Sequence, residues 1–487
     1  MSLTKKTIKN LGAVSILQLV AKILNSITLI VLARLLLPSD FGVIAMASIV
    51  ITFVDRIKDF GISNAVIQSQ EKFEESLQTG FIMRSATGIF LYCLIFITAP
   101  FVANFFNDQT ITSALRILAI ILILDDFRFI PETKLTKTLK FKIIVVSNIL
   151  GYISYSFVAI SMAYAGYSYW SIIYGRVAQS LIPLIYFTIK SPWNFHLQFD
   201  KKIAREFLNY GKYIFGTGLL ILFSDNLNYV VLGKILGPAV LGYYFIAYSW
   251  ATLASREITN IFDRVLFPTY SAIKSDITRV GNAYLKTIKY ISIISIPINF
   301  GIFALAPEFV NIVLGEKWGP SILPLQILCI LGLLQSFNST TSSIYYSIGV
   351  PKIATILTGL QLFLMIIFVL PAAMLFGMTG AAALASIIMI ILTPINFTFV
   401  GRFLKMQPRK FIEILIPQFF SAVLMTIFIF AIKEYVNKFN ILSYYPPLYL
   451  LVLVFSGIIT YSFFLFIFTK GKIIEDLRML SSNLMSR

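Results

Sequence analysis

The sequence predicts an all-α polytopic membrane protein of about fourteen transmembrane helices, two parallel six-helix lobes followed by two C-terminal helices. Three observations lead there. The 487 residues are 58% hydrophobic and only 13% charged, with a mean hydropathy of +0.84, whereas soluble proteins are about a quarter charged. Apolar runs long enough to cross a bilayer recur along the whole chain. An internal repeat, at an offset of 200 residues, relates the first half to the second.

A bilayer core needs about 20 apolar residues per helix. The runs fall at 10–36, 41–62, 77–105, 110–129, 142–165, 167–189, 207–236, 239–262, 283–306, 320–347, 351–376, 378–403, 411–436 and 446–469. The first is too long for the apolar part of a signal peptide and has no small-x-small cleavage site after it, so it is read as a retained helix. The fourth and tenth are the least apolar, one ending in "DDFRFIPE" and the other rich in Ser and Thr. No connection is long enough to hold a soluble domain.

Lys and Arg outside these runs set the orientation. With the N-terminus inside, the cytoplasmic segments collect Lys5, Lys6, Lys9, Lys72, Arg128, Lys134, Lys137, Lys140, Lys142, Lys190, Lys201, Lys202, Arg205, Lys212 and the "GRFLKMQPRK" cluster, among others, against Lys317, Lys433 and Lys438 on the other side. Both termini are therefore expected in the cytoplasm. Most of the net charge of +18 becomes a topology signal, and no nucleic acid is implied. Aromatic groups at 164–170, Trp318 and "SYYPPLY" (443–449) match the outer interface.

The repeat aligns "VLARLLLPSDFGVIAMASIVITFVDR" (31–56) with "VLGKILGPAVLGYYFIAYSWATLASR" (231–256) without gaps. Pro38/Pro238, Gly42/Gly242 and Arg56/Arg256 are among the identities, and Arg34/Lys234 keeps its charge. The Pro and Gly positions mark one short outer turn in each copy. Six helices separate the copies, so both cross in the same direction, as in transporters with a site between parallel lobes. The domains are then 1–200 (helices 1–6), 201–406 (helices 7–12) and 407–487 (helices 13–14 and a cytoplasmic tail).

Charge within a bilayer costs several kcal/mol, which makes each ionisable residue there a functional candidate. The substrate-binding candidates are Lys22, Asn25, Arg56, Arg84, Arg256, Asn260, Asn338 and Tyr345. Lys22 and Asn25 share a face of helix 1, and Arg256 and Asn260 a face of helix 8. Guanidinium forks among them suit a phosphate-bearing ligand. Asp55 and Asp225 are candidates for ion coupling or for ion pairs, with Lys22 a possible partner of Asp225. Arg116 and Arg176 stand open between cavity and packing roles. Lys58 and Asp59 are read as interface residues that snorkel or pair with each other, and Arg34 and Lys234 as outer anchors. The run "QSFNSTTSSIYYS" (335–347) either contacts sugars or packs helix against helix. Pro297, Pro371, Pro394 and Pro417 either bend helices in a conformational cycle or kink them.

Catalysis finds little material. The two cysteines, Cys93 and Cys329, read as core residues, and His196, the only histidine, as a solvated loop residue. No cofactor, metal site or catalytic group is expected.

The stretch "ARLLLPSDFGVIAMASIVITFVDRIKDFGISNAVIQ" (33–68) resembles the opening of bacterial polysaccharide transport proteins, the Wzx-type flippases of the multidrug/oligosaccharidyl-lipid/polysaccharide exporter superfamily, and is most similar to the colanic acid/teichuronic acid exporter subgroup. The resemblance implies a V-shaped pair of lobes in the bacterial cytoplasmic membrane that flips an undecaprenyl-diphosphate-linked oligosaccharide by alternating access. The expected role is in O-antigen, capsule or exopolysaccharide synthesis, with the polymerase and export machinery as further candidate partners. It also implies cavity-lining arginines on helices 1, 2 and 8, of which helices 2 and 8 carry Arg56 and Arg256 while helix 1 offers Lys22 in place of an arginine, and a lipid-tail groove in helices 13 and 14. The alternatives are a cation-coupled multidrug exporter of the same fold, which would prefer an acidic cavity, and a membrane enzyme acting on lipid-linked sugars, which would need a large outer loop.

Overall fold

The computed structural model describes residues 3–68, 72–138, 140–191, 198–407, 409–439 and 446–470. His196, residues 443–445 of the aromatic segment and the tail after 470 lie outside the described residues, as does the side chain of Asn260. The chain divides into two compact units, Met1–Gly242 and Tyr243–Arg487.

In lipid, backbone N–H and C=O groups must find partners inside the segment, and a helix provides them. The first unit holds α1 (Leu3–Leu35), α2 (Pro38–Asp59), α3 (Ile62–Gln68), α4 (Phe73–Phe106), α5 (Thr110–Leu118), α6 (Ile120–Lys137), α7 (Phe141–Tyr164), α8 (Trp170–Lys190) and most of α9 (Lys201–Ala251). Here α7 packs along both α1 and α8, while α4 lies against α5 and α6. The contact of α1 with α7 includes a hydrogen bond at 2.6 Å between the hydroxyls of Thr28 and Ser156.

The second unit holds α10 (Leu253–Ala272), α11 (Ile277–Glu308), α12 (Ile322–Ser347), α13 (Pro351–Phe403), α14 (Arg409–Phe439) and α15 (Pro446–Phe468). In it α12 packs against α10, α11 and α13, and the two C-terminal helices pack on α11. They share one apolar core with it, in which Tyr284, Ile288, Phe411, Met425, Leu453 and Tyr461 are buried. An ion pair ties the same helices: the Lys433 ammonium donates to Glu308 Oε2 and to the Ala304 carbonyl, both at 2.5 Å.

All fourteen predicted segments fall on helix. Among the described residues, nine helices are long and apolar enough to cross a membrane by length and composition. At two places a glycine with non-helical backbone separates successive predicted segments. Gly237 (φ 80°, ψ 179°) lies within α9 and Gly377 (φ 60°, ψ −146°) within α13, backbone geometries that favour a residue without a β-carbon.

The fourth segment departs from its predicted bounds. It breaks at Ala119 and then runs on as α6 to Lys137, through the charged stretch where 129 had been taken as the end. The charges are tolerated because other helices supply their partners, as described below. Cys93 is a second correction: it is exposed on α4, whereas Cys329 is buried, and both are free thiols. Large apolar side chains elsewhere face outward, Phe157 at 75% and Leu375 at 74% exposure among them, as expected of surfaces that meet lipid tails.

Before α9, Asp200 accepts from the backbone N–H of Lys202 at 2.7 Å and of Ile203 at 3.3 Å. These bonds hold its carboxyl below the usual carboxylate range, the one to Lys202 contributing most. The aspartate thereby satisfies helix-start donors that would otherwise lack acceptors.

Candidate functional site

The two repeat copies meet at their turns. A break at Leu36 and Leu37 precedes α2, and the break at Gly237 precedes the second half of α9, with Pro38 and Pro238 each opening the helix that follows. A β-carbon built on Gly42 would lie 1.8 Å from the Pro238 carbonyl oxygen, and one built on Gly242 would lie 1.8 Å from the Pro38 carbonyl oxygen. The contact is reciprocal, as between elements related by a two-fold axis. Asp40 secures the first turn: its carboxylate accepts from the Leu37 N–H at 2.8 Å and from the Ser168 hydroxyl.

From this turn, Arg56 and Arg256 each sit eighteen residues along, about 27 Å at 1.5 Å per residue, close to the far edge of a bilayer core about 30 Å thick. Arg56 occupies the last turn of α2 and its side chain is exposed. Arg256, also exposed, lies just beyond the break between α9 and α10, where its guanidinium donates to the Ser249 carbonyl at 2.8 Å. Among the described residues neither has a carboxylate within ion-pair reach.

The other charges of "VDRIKD" turn a different way. Asp55, Lys58 and Asp59 share one face of α2 at i, i+3 and i+4, and that face is occupied. Lys58 is 1% exposed. Its ammonium reaches Asp126 Oδ1 at 3.1 Å, Asp55 Oδ1 at 3.4 Å and the Leu122 carbonyl at 2.8 Å. Arg84 on α4 pairs with Asp59, donates to the Ser63 hydroxyl at 2.8 Å and lies 3.5 Å from Asp126 through Nε. Its guanidinium also covers the Phe129 ring at 4.9 Å.

Lys58 and Asp59 therefore neither snorkel nor pair with each other. They tie α2, α3, α4 and α6 together, and Asp55 pairs with Lys58. The motif "DFGIS" has a physical reading as well. Phe60 and Gly61 take the left-handed turn that stops α2, at φ 40° and 76°, while Asp59 and Ser63 on either side hold Arg84.

Removing one member of such a buried network strands the remaining charges. Asp126→Ala should cost about 3–5 kcal/mol and lower the thermal midpoint of the purified protein. The double variant Lys58→Met, Asp126→Leu should regain most of the loss, and a melting series that found Asp126→Ala as stable as the parent would refute the network's role.

The remaining candidates are dispersed. Lys22 and Asn25 are half-buried on α1, and Asp225 is exposed on α9. Asn338 and Tyr345 are held inside the second unit. Asn338 donates to Thr393 Oγ1 at 2.8 Å and accepts from the Asn396 amide at 2.8 Å, while the Tyr345 hydroxyl donates to Asn396 Oδ1 at 2.8 Å. Tyr346, next to Tyr345, is exposed.

A family model described as "Polysaccharide biosynthesis protein" matches residues 31–323, a span that contains both copies of the repeat. The chain belongs to this family. Among relatives in the polysaccharide biosynthesis family, the teichuronic acid biosynthesis protein TuaB of Bacillus subtilis (strain 168) is 24% identical over 447 residues, 88% of this chain and 89% of that protein. The lipopolysaccharide biosynthesis protein WzxC of Escherichia coli (strain K12) is 26% identical over 357 residues, 71% of this chain and 70% of that protein. Of solved structures, the lipid II flippase MurJ in an inward closed conformation matches with a TM-score of 0.74 at 16% identity, covering 95% of this chain and 99% of that one. That likeness establishes the fold, and this member of the polysaccharide biosynthesis family is a multi-pass, all-α membrane protein.

Proposed function

We propose that the protein is a flippase that carries undecaprenyl-diphosphate-linked oligosaccharide units from the inner to the outer leaflet of the bacterial cytoplasmic membrane by alternating access, supplying surface polysaccharide synthesis. The observation that carries the reading is the pair Arg56 and Arg256: equivalent in the repeat, equally far from the turn, exposed, and without carboxylate partners among the described residues. Cations held so close to a hydrocarbon core are costly unless an anion meets them, and a diphosphate suits two guanidinium forks. Family membership and the named relatives support the polysaccharide context.

In this proposal both termini lie in the cytoplasm, which places the two arginines near the cytoplasmic mouth. They capture the diphosphate first, with Lys22 and Asn25 continuing the polar path along α1. The lobes follow the expected bounds 1–200 and 201–406, with 407–487 as an addition. Because Asn338 and Tyr345 spend their polar atoms on each other's neighbours, they shape the path by positioning α12, and Tyr346 is offered as the sugar contact. Asp225 is the candidate for ion coupling. Binding drives the cycle only if the diphosphate prefers one conformation over the other.

Disrupting the gene tests the reading in cells. The surface glycan should disappear while its lipid-linked repeat unit accumulates in the membrane; an unchanged glycan overturns the assignment.

A further inference from the structure

The first unit contains a second cationic feature that the proposed transport path does not use. A cavity of about 290 Å³ opens among α6, α7 and α8, lined by Arg128, Asn148, Tyr152, Arg176 and Gln179. At about 30 Å³ per water it has room for roughly ten waters, or for one small polyhydroxylated molecule.

Two arginines and one aspartate line it. Asp125 also lines the cavity, but its carboxylate is engaged: Oδ1 accepts from the Ser180 hydroxyl at 2.5 Å and from Arg128 Nη1 at 3.4 Å. Arg128 has a second acid, Glu132, at 3.5 Å, and its guanidinium faces the Phe187 ring at 5.8 Å. Arg176 has no carboxylate within ion-pair reach among the described residues. With Glu132 counted, two guanidiniums face two carboxylates, but both carboxylates are held at Arg128, and Arg176 is left without one of its own among the described residues.

We infer that this cavity is an oxyanion-binding site, taking one carboxylate or phosphate group. Arg176 supplies a guanidinium with no carboxylate of its own among the described residues. The amides of Asn148 and Gln179 and the Tyr152 hydroxyl, also in the lining, supply further donors. Planar forks and amide donors match the separated oxygens of an oxyanion better than they match a spherical halide. The site lies wholly within the first unit and does not depend on the reading of Arg56 and Arg256.

The test uses the full chain in nanodiscs of phosphatidylcholine, with the thermal midpoint followed against inorganic phosphate or glucuronate at constant ionic strength set by chloride. The midpoint should rise saturably with either anion, because a ligand of the folded state stabilises it by mass action. Arg176→Gln should weaken the apparent affinity about tenfold or more. Gln179→Leu, which keeps every charge, should weaken it less and serves if Arg176→Gln does not fold.

Nanodiscs containing phosphatidylglycerol separate the sources. A midpoint already raised there, with no further response to phosphate, assigns a lipid head group, whereas an undiminished response assigns a soluble oxyanion. The inference is overturned if phosphate and glucuronate act no differently from chloride, as they would if water alone fills the cavity. It is equally overturned if the variants that fold retain parental affinity.

Discussion

Replacing Arg56 and Arg256 together with alanine should leave the protein inserted and folded yet reduce transport by two orders of magnitude or more. The expectation of intact folding comes from what the two side chains touch. Both are exposed; Arg56 has no carboxylate partner among the described residues, and the Arg256 bond is a local one to the Ser249 carbonyl. A hydrogen bond to a charged group contributes about 1.5–3 kcal/mol, so if the proposed diphosphate loses one contact at each arginine, the loss amounts to roughly a hundredfold or more. Each single alanine variant should show a smaller deficit, and substitution by lysine should rescue only in part, since a point charge cannot grip two oxygens at once. Membrane abundance and surface glycan measured on the same cells would decide it. Wild-type glycan in the double variant would remove both arginines from the path.

The second large effect is expected at the reciprocal turn. Gly42→Ala places a methyl group 1.8 Å from the Pro238 carbonyl oxygen, where real β-carbons essentially never come within 3.0 Å, so backbone on both sides must part by more than an ångström. Overpacking of this kind typically costs about 1–3 kcal/mol. Gly242→Ala meets the Pro38 carbonyl at the same 1.8 Å and should cost a similar amount.

Because one contact is lost in either case, the two costs should not add. Once one substitution has separated the turns, the other has less left to disrupt. A double-variant cycle on thermal stability checks this, with additive costs as the contrary outcome. Alanine at Gly216, on the other side of the Gly237 break, where an added β-carbon meets nothing within 4 Å, is the control.

The two features on which the account turns were legible in the sequence for a simple reason. A repeat preserves what its geometry requires, and Pro38/Pro238 with Gly42/Gly242 are the residues that open each helix and let the turns touch. Arg56 and Arg256 stood out by the same comparison. Helix existence was legible because lipid permits little else, and the departure of the fourth segment arose where charge interrupts the apolar pattern. Hydropathy separated 351–376 from 378–403, and the non-helical backbone at Gly377 lies between them.

What could not be read was which charge pairs with which. Asp126 and Lys58 are 68 residues apart in sequence, and nothing local to either names the other. The available signal was that "DDFRF" interrupts an apolar run, and charges there require partners from other helices. Asn338 and Tyr345 illustrate the converse. Residue type alone suits sugar recognition and interhelical bonding equally, and the structure finds their polar atoms bonded to Thr393 and Asn396.

The most direct test of the central claim is reconstitution. The purified protein, placed in liposomes that carry an undecaprenyl-diphosphate-linked oligosaccharide, should move that lipid between leaflets, with unchanged substrate mass and with little activity in the Arg56→Ala, Arg256→Ala variant. No transfer above protein-free liposomes, or a change in substrate mass, would contradict the account.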